Sequence, residues 1–262
     1  MKLGIITGSG TYALDELEQP EAREIRTRFG GVIVTEGRLA GVGVVHVSRH
    51  GRGHVRLSSH VNHRANILAL KEAGVDAILA ATVCGAVDPE LELGGLIVFD
   101  DVHFLGNRLP DGSICSLYAE GEAGRGHWIF ERPFSPPLRD ALLAAAAEIG
   151  APARDGGCYG HVDGPRFNSR TEIRMLGQCG VTAVSQTAGP ETVLAGEAEL
   201  PYALVGYATD YANGVVVAPT PVAELVRLIE ASTEAFGRTL AAAAPRLAGA
   251  SVGPTGSHFR FD

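Results

Sequence analysis

The strongest constraint on the fold is a series of short apolar runs that each end in glycine or polar residues. Residues 3–6 are apolar and lead into the segment 7–10, and residues 77–81 lead in the same way into the segment 82–85. Short, continuously apolar runs are typical of strands that are buried on both faces. Because segments with helical periodicity separate these runs, the sequence predicts an α/β fold.

Turn and capping residues predict the other elements. Apolar runs at 32–36 and 42–47 flank a turn and predict a hairpin, and further buried strands are predicted at 96–99, 181–184 and 203–208. Helices are predicted from Ser58 or Ser59 to Gly74, at 135–150, 169–179 and 190–198, and from Thr220 onward. No repeat or linker interrupts the pattern. We therefore expect one domain over residues 1–248, with a central mixed sheet flanked by helices, and an irregular tail over 249–262.

Charge and cysteine usage exclude several classes of protein. The 262 residues carry 30 acidic and 22 basic side chains, a net charge of −8, and no basic block, so we expect no nucleic-acid partner. No apolar run has the roughly 18–20 residues that a membrane span needs. The cysteines are far apart and form no metal-binding pair: Cys84, Cys115, Cys158 and Cys179. This usage predicts free thiols in a reducing cytoplasm.

Polar clusters follow several of the predicted strands. The Gly8-Ser9-Gly10 segment and Ala13 match a dinucleotide-binding pattern, but residues 11–30 give little support for the crossover helix that such a fold needs. The same loop could present N–H groups and a hydroxyl to a single phosphate, or be only a tight turn. Two arginines and two histidines at 49–54 would suit a dianion, because guanidinium groups match phosphate oxygens; a solvated loop is the alternative.

Three further positions have functional and purely structural interpretations. Cys84 has no obvious local base, so a catalytic thiol is not expected there. Phe167 lies among polar residues and could stack on a heterocycle, although phenylalanine is more often a core residue. Asp210 ends an apolar strand, where it is either a cap or a functional acid.

Taken together, these segments resemble the trimeric purine nucleoside phosphorylases, and most closely their methylthioadenosine phosphorylase branch. The resemblance spans roughly residues 3–245 and rests on these motifs in order: T-G-S-G, S-R-H-G-R-G-H, V-N-H-R-A-N with A-L-K-E-A-G, T-V-C-G-A, D-G-P-R-F with R-T-E, Q-T-A-G-P-E and A-T-D-Y. It implies a single-domain α/β phosphorylase fold and a homotrimer or dimer of trimers. It also implies inorganic phosphate as co-substrate, with no metal or other cofactor.

The resemblance also implies a role for each matching residue. The phosphate site would comprise Ser9, Arg49, His50, Thr82, Val83 and Thr187. The base site would comprise Phe167, Asn168, Asp210, Cys84 and Gly85, with Asp210 as the catalytic acid. The pocket for the 5′ substituent would comprise Val222, Leu225 and Val226, together with His127 from a neighbouring subunit.

Three positions depart from the family pattern. Gln186 replaces a methionine under the sugar, so the ribose contact is altered. We expect Gln186 to hydrogen-bond a pentose hydroxyl, or the natural sugar to differ from an ordinary ribose; the alternative is that its side chain points away and bonds the backbone. Asn168 replaces a small hydroxyl residue, and Ala212 replaces a second aspartate found in adenine-preferring members. Asp210 favours an amino group at C6 because a carboxylate accepts hydrogen bonds, whereas Ala212 weakens that preference.

The resulting hypothesis is phosphorolysis of 5′-methylthioadenosine or a related 5′-substituted adenosine by a pentosyltransferase. The products would be a free base and a pentose 1-phosphate. Asp210 would protonate the leaving purine, which requires that burial raise its pKa. A 6-oxopurine nucleoside phosphorylase is the main alternative. A nucleosidase on the same scaffold and a non-catalytic nucleoside-binding protein are further alternatives.

Overall fold

A computed structural model of the chain describes residues 1–261. The strands are β1 (Lys2–Thr7), β2 (Glu18–Thr27), β3 (Gly30–Leu39), β4 (Val42–Ser48), β5 (Ala77–Ala86), β6 (Leu96–Val98), β7 (Asp101–His103), β8 (Gly126–Phe130), β9 (Arg154–Asp155), β10 (Cys158–His161), β11 (Val181–Ser185), β12 (Tyr202–Tyr211) and β13 (Gly256–Arg260). The helices are α1 (His63–Glu72), α2 (Pro136–Glu148), α3 (Arg170–Gln178), α4 (Ala188–Glu197) and α5 (Val222–Leu247). Within this described part, no helix is both long and apolar enough to cross a membrane.

Eleven of these strands form one mixed sheet, which confirms the predicted α/β fold. Its main path is β2-β3-β4-β1-β5-β11-β10-β7, and β12 pairs with both β5 and β6. The predicted hairpin is confirmed as the antiparallel pair of β3 and β4. Strand β1 lies parallel to β4 and β5, and β12 lies parallel to β5. The carboxyl ends of these four strands therefore meet at one edge of the sheet.

Successive residues of the central strands pack on opposite faces of the sheet. In β1, Leu3 and Ile5 belong to the core on the side of α2 and α5, whereas Ile6 belongs to the core on the side of α1 and α4. Gly4 faces α1 closely, since a Cβ there would lie 3.2 Å from Leu70. Each fully buried aliphatic side chain of this kind contributes about 1.5–3 kcal/mol to folding. Burial on both faces thus holds the strand ends at fixed positions.

The first helix begins later than the sequence predicts. Ser58 belongs to a short 3₁₀ helix at Ser58–His60, and α1 starts at His63, where the side chain of Asn62 accepts a hydrogen bond from the Ala65 backbone N–H at 3.1 Å. An asparagine at this position satisfies an N–H group that the helix leaves free. The Ser58 hydroxyl is instead engaged with a distant residue of the candidate site.

The structure adds one strand that the sequence does not predict and corrects the expectation for the tail. Residues 18–27 form an edge strand of mostly exposed residues that pairs antiparallel with β3, although the sequence shows no buried strand pattern there. The tail is not irregular throughout, because β13 pairs antiparallel with β8 in a separate two-stranded sheet. Both strands depend on tertiary pairing, which local hydrophobic periodicity does not reveal.

Candidate functional site

A cavity of about 300 Å³ lies at the edge of the sheet where the parallel strands end. Its volume is at the lower end of the range for small-molecule sites. Loops after β1, β4, β10, β11 and β12, together with β5, α3 and α5, supply its walls. The sequence-predicted residues that line it are Ser9, Arg49, His50, Thr82, Val83, Cys84, Gly85, Phe167, Asn168, Gln186, Thr187, Asp210 and Leu225. The fold therefore brings together segments from across the whole chain.

Arg49 lies at the floor of the polar end of this cavity and is 1% exposed. Its Nε donates to Oε1 of Glu191 at 2.5 Å, and its Nη2 donates to Oε2 at 2.9 Å. Burial alone would raise the pKa of Glu191, but the charge of Arg49 reverses this effect and lowers that pKa to about 2. Glu191 therefore occupies the edge of the guanidinium group that carries Nε and Nη2.

The remaining donors of Arg49 define how it can meet an anion. One Nη1 hydrogen goes to the Ala81 carbonyl oxygen at 2.7 Å, so each of the two Nη atoms retains one further hydrogen. The loop after β1 lies directly against this group, because a Cβ placed on Gly8 would lie 2.7 Å from Nη1. With its Nε and Nη2 paired to Glu191 and its side chain shielded from solvent, Arg49 supplies positive charge to the polar end of the cavity.

His50 is held as a neutral ring beside Arg49. Its Nδ1 lies 2.8 Å from the Arg56 carbonyl oxygen, which can only accept, so Nδ1 carries the proton. The ring stacks on His54, with centroids 4.3 Å apart. Burial and the charge of Arg49 lower the pKa of His50 to about 4. At neutral pH the Nε2 atom is consequently a hydrogen-bond acceptor.

Hydroxyl groups surround this polar end. Thr82 Oγ1 lies 3.0 Å from Ser185 Oγ and donates to the Val83 carbonyl oxygen at 3.1 Å. Thr187 is buried at the start of α4, where its backbone N–H donates to the Tyr159 hydroxyl at 3.3 Å. Helix N-termini and hydroxyl groups both favour anions. The polar end thus matches the chemistry of a phosphate site.

Asp210 lies in a more apolar part of the cavity. Its Oδ1 accepts a hydrogen bond from Thr209 Oγ1 at 2.9 Å. Burial raises the pKa of Asp210 and outweighs the opposing effect of that hydrogen bond. Gly85 allows the carboxyl group to lie this close to β5, since a Cβ there would be 3.3 Å from Oδ2. Burial therefore shifts the pKa of Asp210 in the direction that a proton donor requires.

The mouth of the cavity carries an exposed aromatic ring. Phe167 is 62% exposed although it lines the cavity, so its ring is available for stacking on a ligand. Beside it, the Asn213 side-chain amide donates to the Asn168 carbonyl oxygen at 2.7 Å. Ala212 also lines this part, so no second carboxylate accompanies Asp210 there.

Three residues predicted for the 5′ pocket lie outside this cavity. Val222 and Val226 are 75% and 47% exposed, and α5 lines the cavity with Leu225 and Ile229. Val222 is the first residue of α5, and neither it nor Val226 is among the residues that line the cavity. His127 lies in β8, stacks on Phe259, and lines a second cavity of about 620 Å³.

Glu191 was assigned no role from the sequence. It is the acidic residue of the Q-T-A-G-P-E motif, which is the signal that could have identified it. It is completely buried and also accepts a hydrogen bond from the Tyr202 hydroxyl at 3.0 Å. Ile229, Ser58 and His54 are further lining residues that the assignments omit.

Cys84 lines the cavity without the properties of a nucleophile. Cys84 is 3% exposed, and burial together with the Asp210 charge raises the pKa of its thiol far above the usual range. A reactive cysteine needs the opposite shift. Among residues 1–261, no three histidine, cysteine or acidic side chains are grouped as metal ligands would be.

Over most of its length the chain is similar to known phosphorylases. Residues 2–249 match the sequence profile of the phosphorylase superfamily. The chain is 39% identical to the S-methyl-5′-thioadenosine phosphorylase of Drosophila melanogaster over 217 residues, which cover 80% of this chain and 73% of the relative. It is 32% identical to the 6-oxopurine nucleoside phosphorylase of Pyrococcus furiosus over 250 residues, which cover 93% and 92%.

The three-dimensional comparison gives the same result. The methylthioadenosine phosphorylase of Schistosoma mansoni in complex with adenine superposes with a TM-score of 0.87 at 27% identity, over 96% of this chain and 93% of that one. The resemblance inferred from the motifs is thus confirmed over nearly the whole length. The chain belongs to the phosphorylase superfamily.

Proposed function

We propose that the protein catalyses phosphorolysis of the N-glycosidic bond of purine nucleosides. The observation that carries this proposal is one cavity with two chemically different ends. Arg49, with the hydroxyls of Thr82 and Thr187 nearby, provides a cationic polar end for phosphate. Asp210, whose pKa is raised by burial, faces the same cavity with Phe167 at its mouth.

The proposed reaction needs phosphate and an acid in this arrangement. A phosphate oxygen forms a bond to C1′ while the bond from C1′ to N9 breaks, and the bonding electrons pass to the purine. Asp210 donates its proton to N7 and thereby neutralises the leaving base. The sugar passes through an oxocarbenium-like state, which the negative charge of the bound phosphate stabilises. The products are a purine and a pentose 1-phosphate.

The primary candidate substrate is 5′-methylthioadenosine or another 5′-substituted adenosine. Protonated Asp210 can donate its O–H to N7 and accept a hydrogen bond from the 6-amino group through its other oxygen. Leu225 and Ile229 give the cavity an apolar wall that suits a thioether substituent. Relatives named as methylthioadenosine phosphorylases support this choice.

A 6-oxopurine nucleoside is the second candidate. It is favoured by Ala212, which removes the second carboxylate from the base side, and by an asparagine at position 168. An amide can serve both as donor and as acceptor, so it is compatible with the N1–H group of a 6-oxopurine. Relatives named as 6-oxopurine nucleoside phosphorylases support this alternative.

Turnover of four nucleosides with and without phosphate tests the proposal. We expect phosphate-dependent release of base from methylthioadenosine and adenosine, and slower release from methylthioinosine and inosine. The reverse order would identify the 6-oxopurine alternative. Base release that does not depend on phosphate would instead indicate a nucleosidase, and binding without turnover of any of the four would indicate a non-catalytic protein.

The proposed enzyme works as a homotrimer or a dimer of trimers with an apolar face between subunits. Leu105 and Ile114, which are 84% and 49% exposed, lie beside the second cavity, as does Phe130. Exposed apolar surface of this kind is typical of protein interfaces. In this assembly His127 would reach the 5′ pocket of a neighbouring subunit, which agrees with its distance from the cavity of its own chain.

Light scattering tests the assembly. We expect a particle of three or six chains of 27.4 kDa each, which Leu105→Asp dissociates with loss of activity. The control is Ile33→Asp, because Ile33 is 65% exposed on β3 and does not line the second cavity. A fully active monomer would exclude the proposed role of the interface.

The proposed reaction uses inorganic phosphate as co-substrate and requires no metal or other cofactor. We also propose a cytoplasmic location. Its support is the set of cysteines, which are all free thiols: Cys84, Cys115, Cys158 and Cys179. Free thiols persist in a reducing compartment.

A further inference from the structure

The side chain of Gln186 joins two segments that approach the cavity from different sides. The Ser58 hydroxyl donates to Gln186 Oε1 at 2.7 Å, and Gln186 Nε2 donates to the Arg166 carbonyl oxygen at 3.1 Å. Ser58 follows the loop that carries His50, and Arg166 immediately precedes Phe167. We call this pair of hydrogen bonds the Gln186 clasp.

The clasp is closely packed. A Cβ placed on Gly164 would lie 1.9 Å from Gln186 Oε1 and 2.3 Å from Ser58 Oγ. These two oxygen atoms therefore occupy the space that a side chain at position 164 would need. Ser58, Pro165 and Gln186 all line the cavity, and Thr187 follows directly in the chain. Three segments that face the ligand thus meet at one amide group.

We propose that Gln186 is a positioning residue. It fixes the loop that carries His50, on the phosphate side of the cavity, relative to the loop that carries Phe167, on the base side, before either substrate binds. This inference rests on the proposed function. A methionine in place of Gln186 would have no N–H group and only a weakly accepting sulfur, so it could not reproduce either bond. The clasp therefore depends on the amide of Gln186, and it would preorganise the walls of the cavity.

Preorganisation has a measurable thermodynamic consequence. With the clasp intact, neither ligand has to order the loops, so each should bind with an affinity that depends little on the other. Without the clasp, the first ligand must order both loops and binds more weakly. The second ligand then meets loops that are already ordered, which produces positive coupling between the two sites.

Calorimetric binding of phosphate, alone and with saturating adenine, tests this inference without turnover. For Gln186→Met and Ser58→Ala we expect the Kd of phosphate alone to rise about fivefold, the effect of about one net hydrogen bond. Adenine should restore most of that loss in both variants and should change the wild-type Kd far less. Hypoxanthine replaces adenine if the nucleoside panel identifies a 6-oxopurine enzyme.

Ser59→Ala is the matched control. Ser59 is adjacent to Ser58, but its hydroxyl lies 3.2 Å from His60 Nδ1 and has no contact with the clasp. We expect this variant to bind phosphate as the wild type does. Wild-type Kd values and wild-type coupling in both Gln186→Met and Ser58→Ala would overturn the inference. A wild-type protein that binds neither phosphate nor a purine would instead overturn the proposed function. Circular dichroism establishes that each variant is folded.

Discussion

The guanidinium of Arg49 and the carboxylate of Glu191 form a two-point ion pair in which both side chains are completely shielded from solvent. The residues are separated by 142 positions in the chain, and the pair fixes the loop after β4 against the start of α4. Buried pairs of this kind are sensitive to the loss of one partner, because the remaining charge stays without compensation. Glu191 thereby fixes the position of the Arg49 charge at the polar end of the cavity.

Glu191→Gln should destabilise the protein and weaken phosphate binding together. We expect the free energy of unfolding to fall by about 3–5 kcal/mol, because the Arg49 charge loses its partner. Urea denaturation measures this loss, and the KM for phosphate should rise in the folded fraction. Glu234→Gln removes an exposed pair with Arg238 and should change stability by less than about 1 kcal/mol. Equal effects of the two substitutions would contradict this role of Glu191.

The same carboxylate should make stability depend on pH. Its pKa is about 2 in the folded protein against 4.5 for an ordinary glutamate, so the unfolded chain binds more protons between these values. The stabilising contribution is fully present above about pH 4.5 and is lost as the pH falls toward 2. Unfolding measured over this range should show a smaller slope with pH in Glu191→Gln than in the wild type.

Gly8→Ala should impair phosphate binding specifically. The new methyl group would lie 2.7 Å from Arg49 Nη1, and the ion pair with Glu191 prevents the guanidinium from moving away easily. We expect roughly a tenfold increase in the KM for phosphate, about 1.4 kcal/mol, and a smaller change in the KM for the nucleoside. Gly43→Ala is the control, because the nearest atom to its new Cβ is 3.8 Å away. An unchanged KM for phosphate in Gly8→Ala would exclude this loop from the phosphate site.

Asp210→Asn should reduce kcat on 6-amino nucleosides by about 10²–10⁴-fold, because the amide cannot supply a proton to N7. An asparagine can donate to a 6-oxo group, so we expect the loss on inosine to be smaller. Wild-type kcat should fall as the pH rises through the raised pKa of Asp210, since the protonated form is the active one. Kinetics on both substrate types as a function of pH measure these effects. Equal losses on both would show that Asp210 does not discriminate the base.

Gln186→Met should alter the preference between ribosides and 2′-deoxyribosides. The clasp uses one amide hydrogen and one lone pair of Gln186, which leaves one of each for a sugar hydroxyl. An unmet hydroxyl partner costs about 1–3 kcal/mol, so the ratio of kcat/KM for the two sugars should shift by at least about fivefold. A ratio that stays within about twofold would show that Gln186 acts on the loops alone.

The sequence alone determined the elements with strong local signals. The apolar runs of β1, β5 and β12 and the turn of the hairpin depend on interactions between near neighbours, and these predicted the α/β fold correctly. Most of the residues assigned by motif also line one cavity, because the carboxyl ends of parallel strands meet at one edge. The exposed strand β2 and the strand β13 were missed, since their partners in the sheet, and not their own periodicity, make them strands.

Only the tertiary structure decided how the site residues are used. The sequence predicted that Arg49 binds an anion. The fold shows in addition that its Nε and Nη2 donate to the carboxylate of Glu191. The sequence left open whether Gln186 contacts the sugar or bonds the backbone, and the fold shows that its amide bonds Ser58 and the Arg166 carbonyl oxygen. Motifs fix which polar groups a chain contains. Hydrogen bonds act over about 3 Å between residues that are far apart in the chain, so their partners are set only when the chain is packed.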